Sequence, residues 1–204
     1  TFEGWYKESS FKNRITTIPK GSKGNLTIYA KWKANKYTVR FHGNKATSGS
    51  MQEMKNLEYD MDYTLRKNKF KRKGYKFVRW NTKADGSGTS YANGASVKNL
   101  ASGQGATVTL YARWTVNTYT IAFNGNGATG GSTASVSATY DQAQNLPANG
   151  FTKTGYTFTG WNAKADGTGT AYADKASVKN LASAQGATVT LYAQWKVNSY
   201  NLTV

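Results

Sequence analysis

The stretch Gly155–Trp195, GYTFTGWNAKADGTGTAYADKASVKNLASAQGATVTLYAQW, decides how the chain is read, because it occurs almost verbatim once before. The earlier copy is Gly74–Trp114, GYKFVRWNTKADGSGTSYANGASVKNLASGQGATVTLYARW, identical at 31 of 41 positions. Trp161 and Trp195 each fall 81 residues after Trp80 and Trp114. Thr1–Trp32 is a more divergent third copy, in which Phe2-Glu3-Gly4-Trp5 parallels Phe158-Thr159-Gly160-Trp161. A fixed period of this length is the signature of a tandem array of small units, each one supersecondary assembly. The boundaries follow: 1–33 is the C-terminal part of a repeat or a truncated repeat, 34–117 a second repeat, 118–198 a third, and 199–204 the first strand of a following one. Since Thr1 falls inside a repeat, the sequence reads as a fragment of a longer chain.

Working outward from that stretch, the pattern is of strands and turns. Thr107–Trp114, TVTLYARW, is β-branched and aromatic, with Val108, Leu110, Ala112 and Trp114 on one face. Ala34–Phe41 alternates likewise, with Tyr37, Val39 and Phe41 together. Asp85-Gly86 and Asp166-Gly167 are turn sequences. Met51–Tyr63 is only weakly patterned and reads as a strand followed by a short helical or irregular turn, and Ser96–Leu100 reads as a single turn. Only Thr115-Val116-Asn117 separates the last strand of one repeat from the first of the next, which predicts a semi-rigid array. Cysteine is absent, so no disulfide staples these units, and sheet pairing and aromatic packing must hold them. No stretch approaches the roughly 18 apolar residues that a membrane-spanning helix needs.

Three motifs in order, Phe123–Gly131 (FNGNGATGG), Gly155–Asn162 (GYTFTGWN) and Thr190–Trp195 (TLYAQW), resemble the Listeria–Bacteroides repeat, the B-repeat of internalin-type surface proteins. The resemblance covers nearly the whole chain. It implies a mainly β (α+β) architecture of tandem β-grasp-like repeats, each a mixed sheet with a short helix or irregular crossover. It also implies export to a bacterial cell surface or cell wall, and a stalk or adhesive role without catalysis. Tyr156, Phe158, Trp161, Leu191, Tyr192 and Trp195 match the family's structural signature, which offers no catalytic residue to carry over. The second repeat departs from the pattern where Phe41-His42-Gly43-Asn44-Lys45 replaces the glycine-rich turn.

The chemistry-bearing residues are sparse. With no cysteine and one histidine, His42 in a turn, a nucleophile–base arrangement has little to build on, and the expectation is a protein that is not an enzyme. One aspartate per turn (Asp85, Asp166) and the isolated Asp60 and Asp62 fall short of a calcium ligand set, so neither metal nor cofactor is expected. Asn124–Gly131 lacks the Gly-Lys-Ser/Thr ending of a phosphate loop and reads as a hairpin or loop. The aromatics recur at fixed places and read as core, with Tyr91 and Tyr172 partly exposed.

The net charge of +17 is uneven: +5 over 1–33, +10 over 34–117 and +2 over 118–204. Its focus is Arg66–Arg79, RKNKFKRKGYKFVR, with eight basic residues in fourteen where the third repeat has Lys153 alone. Arg66, Lys67, Lys69, Lys71, Arg72, Lys73, Lys76 and Arg79 are therefore candidate polyanion ligands, with a solubilising face as the alternative. No recognition helix or finger is visible for sequence-specific nucleic-acid readout. On an exported protein the partners would be host sulfated glycans, wall teichoic acid, or a host or bacterial surface protein. Two functions stand side by side: a structural spacer with some capacity for anionic glycans, and a dedicated adhesion module for a protein or carbohydrate. An adhesion module would repeat its charged cluster from unit to unit, and this cluster belongs to the second alone.

Overall fold

A computed structural model describes residues 1–201. The first repeat contributes β1 (Phe2–Tyr6), β2 (Arg14–Ile15) and β3 (Tyr29–Trp32). The second contributes β4 (Lys36–His42), β5 (Met54–Glu58), β6 (Asp62–Thr64), β7 (Tyr75–Asn81), β8 (Ser90–Tyr91), β9 (Ser96–Lys98) and β10 (Thr107–Val116). The third contributes β11 (Thr118–Asn124), β12 (Gly130–Gly131), β13 (Val136–Thr139), β14 (Ala143–Asn145), β15 (Phe151–Thr152), β16 (Tyr156–Asn162), β17 (Ala171–Tyr172), β18 (Ser177–Lys179) and β19 (Thr188–Val197). No helix occurs among the described residues, so the crossover is of the irregular kind. Met51–Tyr63 resolves into two short strands, and Ser96–Lys98 is a strand where a turn was expected. Ser199–Asn201 forms no strand, and the rest of the anticipated 199–204 strand lies outside the described residues.

Each full repeat builds the same five-stranded mixed sheet, β5-β4-β10-β7-β8 in the second and β13-β11-β19-β16-β17 in the third. The first strand of a repeat lies parallel to its last. Thr38–His42 faces Thr107–Tyr111, and Thr120–Asn124 faces Thr188–Tyr192. Separate two-stranded antiparallel pairs, β6 with β9 and β14 with β18, accompany each sheet. The first repeat shows the order β2-β1-β3, which matches the β8, β7 and β10 positions.

By contacts the chain forms two compact units. One gathers Thr1–Asn44, Ser50–Lys69 and Arg79–Arg113; the other gathers Lys45–Gly49, Phe70–Val78 and the described chain from Trp114 onward. The first buries Tyr37, Val39, Phe41, Leu57, Leu65, Trp80, Val97, Leu110 and Ala112. The second buries Tyr119, Ile121, Ala138, Leu146, Trp161, Val178, Leu191 and Ala193, the equivalents of all of these but Phe41, whose counterpart Phe123 is half-buried. Each centres on a tryptophan with no exposed surface, ringed by aromatics at edge or tilted geometry: Phe41 with Trp80 at 4.9 Å, Phe123 with Trp161 at 4.7 Å, and Phe158 with Trp161 at 5.0 Å. Tyr91 and Tyr172 are half-buried opposite those tryptophans.

Side-chain amides fix the turns. Asn81 is fully buried; its Oδ1 accepts from the N–H of Lys83 (2.8 Å) and Gly88 (3.1 Å), and its Nδ2 donates to the Gly86 and Gly88 carbonyls. Asn162 does the same for Lys164, Gly169 and Gly167. The aspartates at the turn tips serve the backbone. Asp85 accepts from the Ser87 N–H and hydroxyl, and Asp166 from those of Thr168, which holds both carboxyls below the usual carboxylate range. Asn44 and Asn126 staple the loop after the first strand, each donating to the chain at Ala84 and Ala112 or at Ala165 and Ala193. Counted from the first-strand tyrosine to the central tryptophan, the second repeat is one residue longer than the third. The extra residue is absorbed by a bulge. Tyr37 and Val39 face Leu57 and Met54, three apart, with Asn56 at φ 57°, whereas Tyr119 and Ile121 face Ala138 and Val136, two apart.

Candidate polyanion site

The basic stretch is laid on a backbone already present in the neutral repeat. In the third repeat, β12 pairs with β15, the Thr129 N–H donates to the Thr152 carbonyl (2.8 Å), and the Thr154 N–H donates to Thr129 Oγ1. In the second, the Thr47 N–H donates to the Lys71 carbonyl (2.7 Å), and the Lys73 N–H donates to Thr47 Oγ1 (3.0 Å). Phe70-Lys71-Arg72-Lys73 thus occupies the place of Phe151-Thr152-Lys153-Thr154. The segment before it is anchored by buried Leu65, whose N–H donates to the Ala95 carbonyl (2.8 Å), and by the Asn68 N–H on Asn93 Oδ1 (2.8 Å).

One difference does change the geometry. Lys69 stands where the third repeat has Gly150. A Cβ at Gly150 would come 2.1 Å from the Ser132 carbonyl oxygen, so only glycine lets the two segments close there. Around Lys69 they part, leaving a groove lined by Ser50, Met51, Gln52, Arg66, Lys67 and Lys69. All six belong to the first compact unit. Three of the eight candidate cations are brought together there.

The other five are not among its lining residues. Arg72 lies over the Tyr75 ring at 3.6 Å, a cation–π contact, and is half-buried. Lys71 and Lys73 are exposed on the short turn, and Lys76 and Arg79 are exposed on β7. None of the eight takes part in an ion pair among the described residues; the second repeat's pairs are Lys36–Glu58, Arg40–Glu53 and Lys55–Glu53. Arg40 donates to Glu53 at 2.6 Å and holds its carboxyl below the ordinary range. Ser50, Met51 and Gln52 escaped sequence reasoning; the usable signal was the Gly150-to-Lys69 exchange in the aligned copies.

Elsewhere the chemistry is structural. The Asn44 N–H donates to His42 Nδ1, and the imidazole sits 5.1 Å from the Tyr111 ring. The glycine-rich loop is anchored by Trp195, whose Nε1–H donates to the Gly125 carbonyl (2.8 Å). No cluster of three potential metal-ligating His, Cys, Asp or Glu side chains occurs among the described residues.

Comparison with known proteins agrees with the repeat count. The Listeria-Bacteroides repeat domain model matches residues 1–31, 37–113 and 119–194. A protein of Evansella cellulosilytica named "Putative Gly-rich membrane protein" is 39% identical over 134 residues, 64% of this chain and 15% of that protein. A second from the same organism, "Putative membrane protein", is 27% identical over 205 residues, 99% of this chain and 28% of that protein. The chain thus spans well under a third of the length of these relatives. No solved structure matches it. With three tandem matches that cover most of its length, the chain belongs to the Listeria–Bacteroides repeat family.

Proposed function

We propose that this chain is a non-catalytic spacer region of a bacterial cell-surface protein, built to carry tension between the domains it separates. The observation that carries the reading is the parallel pairing of the first and last strands in each full repeat. Neighbouring repeats join at the start of β4 or β11 and at the end of β10 or β19, so a pull along the chain draws two adjacent parallel strands in opposite directions. That loads their evenly spaced ladder in shear, where several hydrogen bonds must fail together. The link is held as well. The Asn117 N–H donates to the Gly74 carbonyl (2.9 Å), its carbonyl accepts from the Tyr140 N–H (2.9 Å), and its Nδ2 donates to the Ser183 carbonyl (2.8 Å), all inside the second compact unit. Stretching single molecules by their two ends tests this. Two discrete events of equal length are expected, each releasing roughly 280 Å at ~3.5 Å per residue; smooth extension without events would refute it. The membrane-protein names of the relatives fit such a placement.

A second capacity, binding anionic glycans such as sulfated host chains or teichoic acid, is favoured by the groove of the second repeat. Its test is heparin and teichoic acid binding across a salt series. If the three groove cations make the contacts, log K falls against log salt with a slope of about −2 to −3, against about −6 to −7 if all eight engage. Arg66→Ser, Lys67→Ser and Lys69→Ser together should abolish the binding. Binding unchanged in that variant would remove the groove from the reading and leave a solvated face.

A further inference from the structure

The contacts that receive the third repeat form a plug and socket. Its plug is a tight turn, Tyr140-Asp141, with Asp141 at φ 62°. Asp141 is clamped by Asn180, whose Oδ1 accepts from the Asp141 N–H (2.6 Å) and whose Nδ2 donates to Asp141 Oδ1 (3.0 Å). Its socket is Arg72-Lys73-Gly74-Tyr75, inside the same compact unit. The Tyr140 ring lies flat against Gly74, so close that a Cβ there would fall 2.0 Å from Tyr140 Cδ1. The Tyr75 hydroxyl donates to Asp141 Oδ2 at 2.9 Å, its ring meets Tyr140 edge-on at 6.1 Å, and Arg72 lies 3.6 Å over it.

Both halves recur. The second repeat carries the plug as Tyr59-Asp60, with Asp60 at φ 67° and Asn99 clamping it at 2.6 and 2.8 Å. The third carries the socket as Lys153-Thr154-Gly155-Tyr156. Lys153 stands 4.4 Å over the Tyr156 ring as Arg72 does over Tyr75, and Gly155 has φ +78° against +76° at Gly74. The backbone link is already set, because the Asn198 N–H donates to the Gly155 carbonyl at 2.9 Å, as Asn117 does to Gly74. Among the described residues nothing lies within 4 Å of a Cβ built on Gly155, and Tyr156 is 40% exposed.

We infer that Lys153, Gly155 and Tyr156 form a docking socket whose occupant is the Tyr-Asp turn of a further repeat of this family joined behind Asn198. The ring would cover Gly155, the carboxylate would accept from the Tyr156 hydroxyl, and Lys153 would supply the complementary charge. The inference goes beyond the spacer reading and does not depend on polyanion binding, since none of the three residues lines the groove.

The experiment extends the chain by a copy of residues 117–198 placed after Val197, and reads the glycine Hα resonances by NMR. A tyrosine ring seated on a glycine moves its Hα upfield, and Gly74 is the internal standard. Gly155 is expected to acquire the Gly74-like shift in the extended chain. It should lose that shift when the tyrosine and aspartate of the appended turn become Ala and Asn. An unmoved Gly155 beside an intact Gly74 signal, with the appended core folded, overturns the proposal. Substitution in the present chain needs no extension. Arg72→Glu and Asp141→Ala should each weaken the Gly74 shift. A shift indifferent to both changes would show that the cation and the acidic turn do not define the socket.

Discussion

The second and third repeats build their cores around equivalent buried side chains, yet one carries a net charge of +10 over 34–117 and the other +2 over 118–204. Their central tryptophans are equally buried, their turn asparagines make the same hydrogen bonds, and their parallel ladders hold five residue pairs each. The difference lies almost entirely on solvent-facing positions of a shared backbone. The scaffold is therefore written in Trp, Tyr, Asn and Gly, and surface charge is free to vary from copy to copy. Where charge did reach the backbone, at Lys69 in place of Gly150, it opened a groove.

This equivalence can be broken experimentally, most forcefully at the cores. Trp80→Ala and Trp161→Ala should each cost about 3–5 kcal/mol. Each should release hydrogen-exchange protection in its own repeat first; a large inequality between the two would mean that the repeats are not held alike. Next come Asn81→Ala and Asn162→Ala, expected to cost about 2–3 kcal/mol in thermal or urea unfolding, because each strands buried backbone groups at its turn. Replacing Asp85 or Asp166 at the exposed tips should cost clearly less.

The groove supplies an asymmetric pair. Gly150→Lys forces a Cβ against the Ser132 carbonyl and should cost about 1–3 kcal/mol, while Lys69→Gly should fall within about 1 kcal/mol of the parent. Equal effects on Tm would remove the explanation given for the groove. The smallest expected effect is the pH response of the Tyr75–Asp141 contact. Hydrogen bonds from Asn180 first and Tyr75 second hold the Asp141 carboxyl below its ordinary value, and the Asp141 bond raises the Tyr75 phenol. The contact's contribution is thus fully present from the unfolded carboxylate value near ~4 up to the unfolded phenol value near ~10. It is lost as pH falls through the lowered Asp141 pKa and as pH rises through the raised Tyr75 pKa. The Gly74 Hα shift followed against pH should trace that plateau and both edges.

Much of the scaffold was legible in the sequence because period-2 alternation and a near-identical repeat leave little choice. Tyr37, Val39 and Phe41 share a buried face as their spacing requires, and Leu110 and Ala112 do likewise. The short strands were harder. Ser96–Lys98 has only Val97 to bury, and its pairing with Asp62–Thr64 is a long-range match that local propensity does not encode. The role of Asn81 was hidden behind the more conspicuous Asp85-Gly86 turn that it supports. The basic residues were visible individually, but their grouping depended on a glycine in the other copy, which shows only when the repeats are compared position by position.

Tension-bearing itself can be measured in the third repeat with two pairs of handles, because a chain without cysteine accepts introduced thiols as its sole attachment points. Cysteines at Thr118 and Lys196 pull β11 against β19 in shear, from opposite ends of the parallel pair. Cysteines at Asn124 and Lys196 pull the same strands from the same end and open the ladder bond by bond. The spacer reading predicts a rupture force several-fold higher for the first pair at the same loading rate. Equal forces for the two pairs would contradict it.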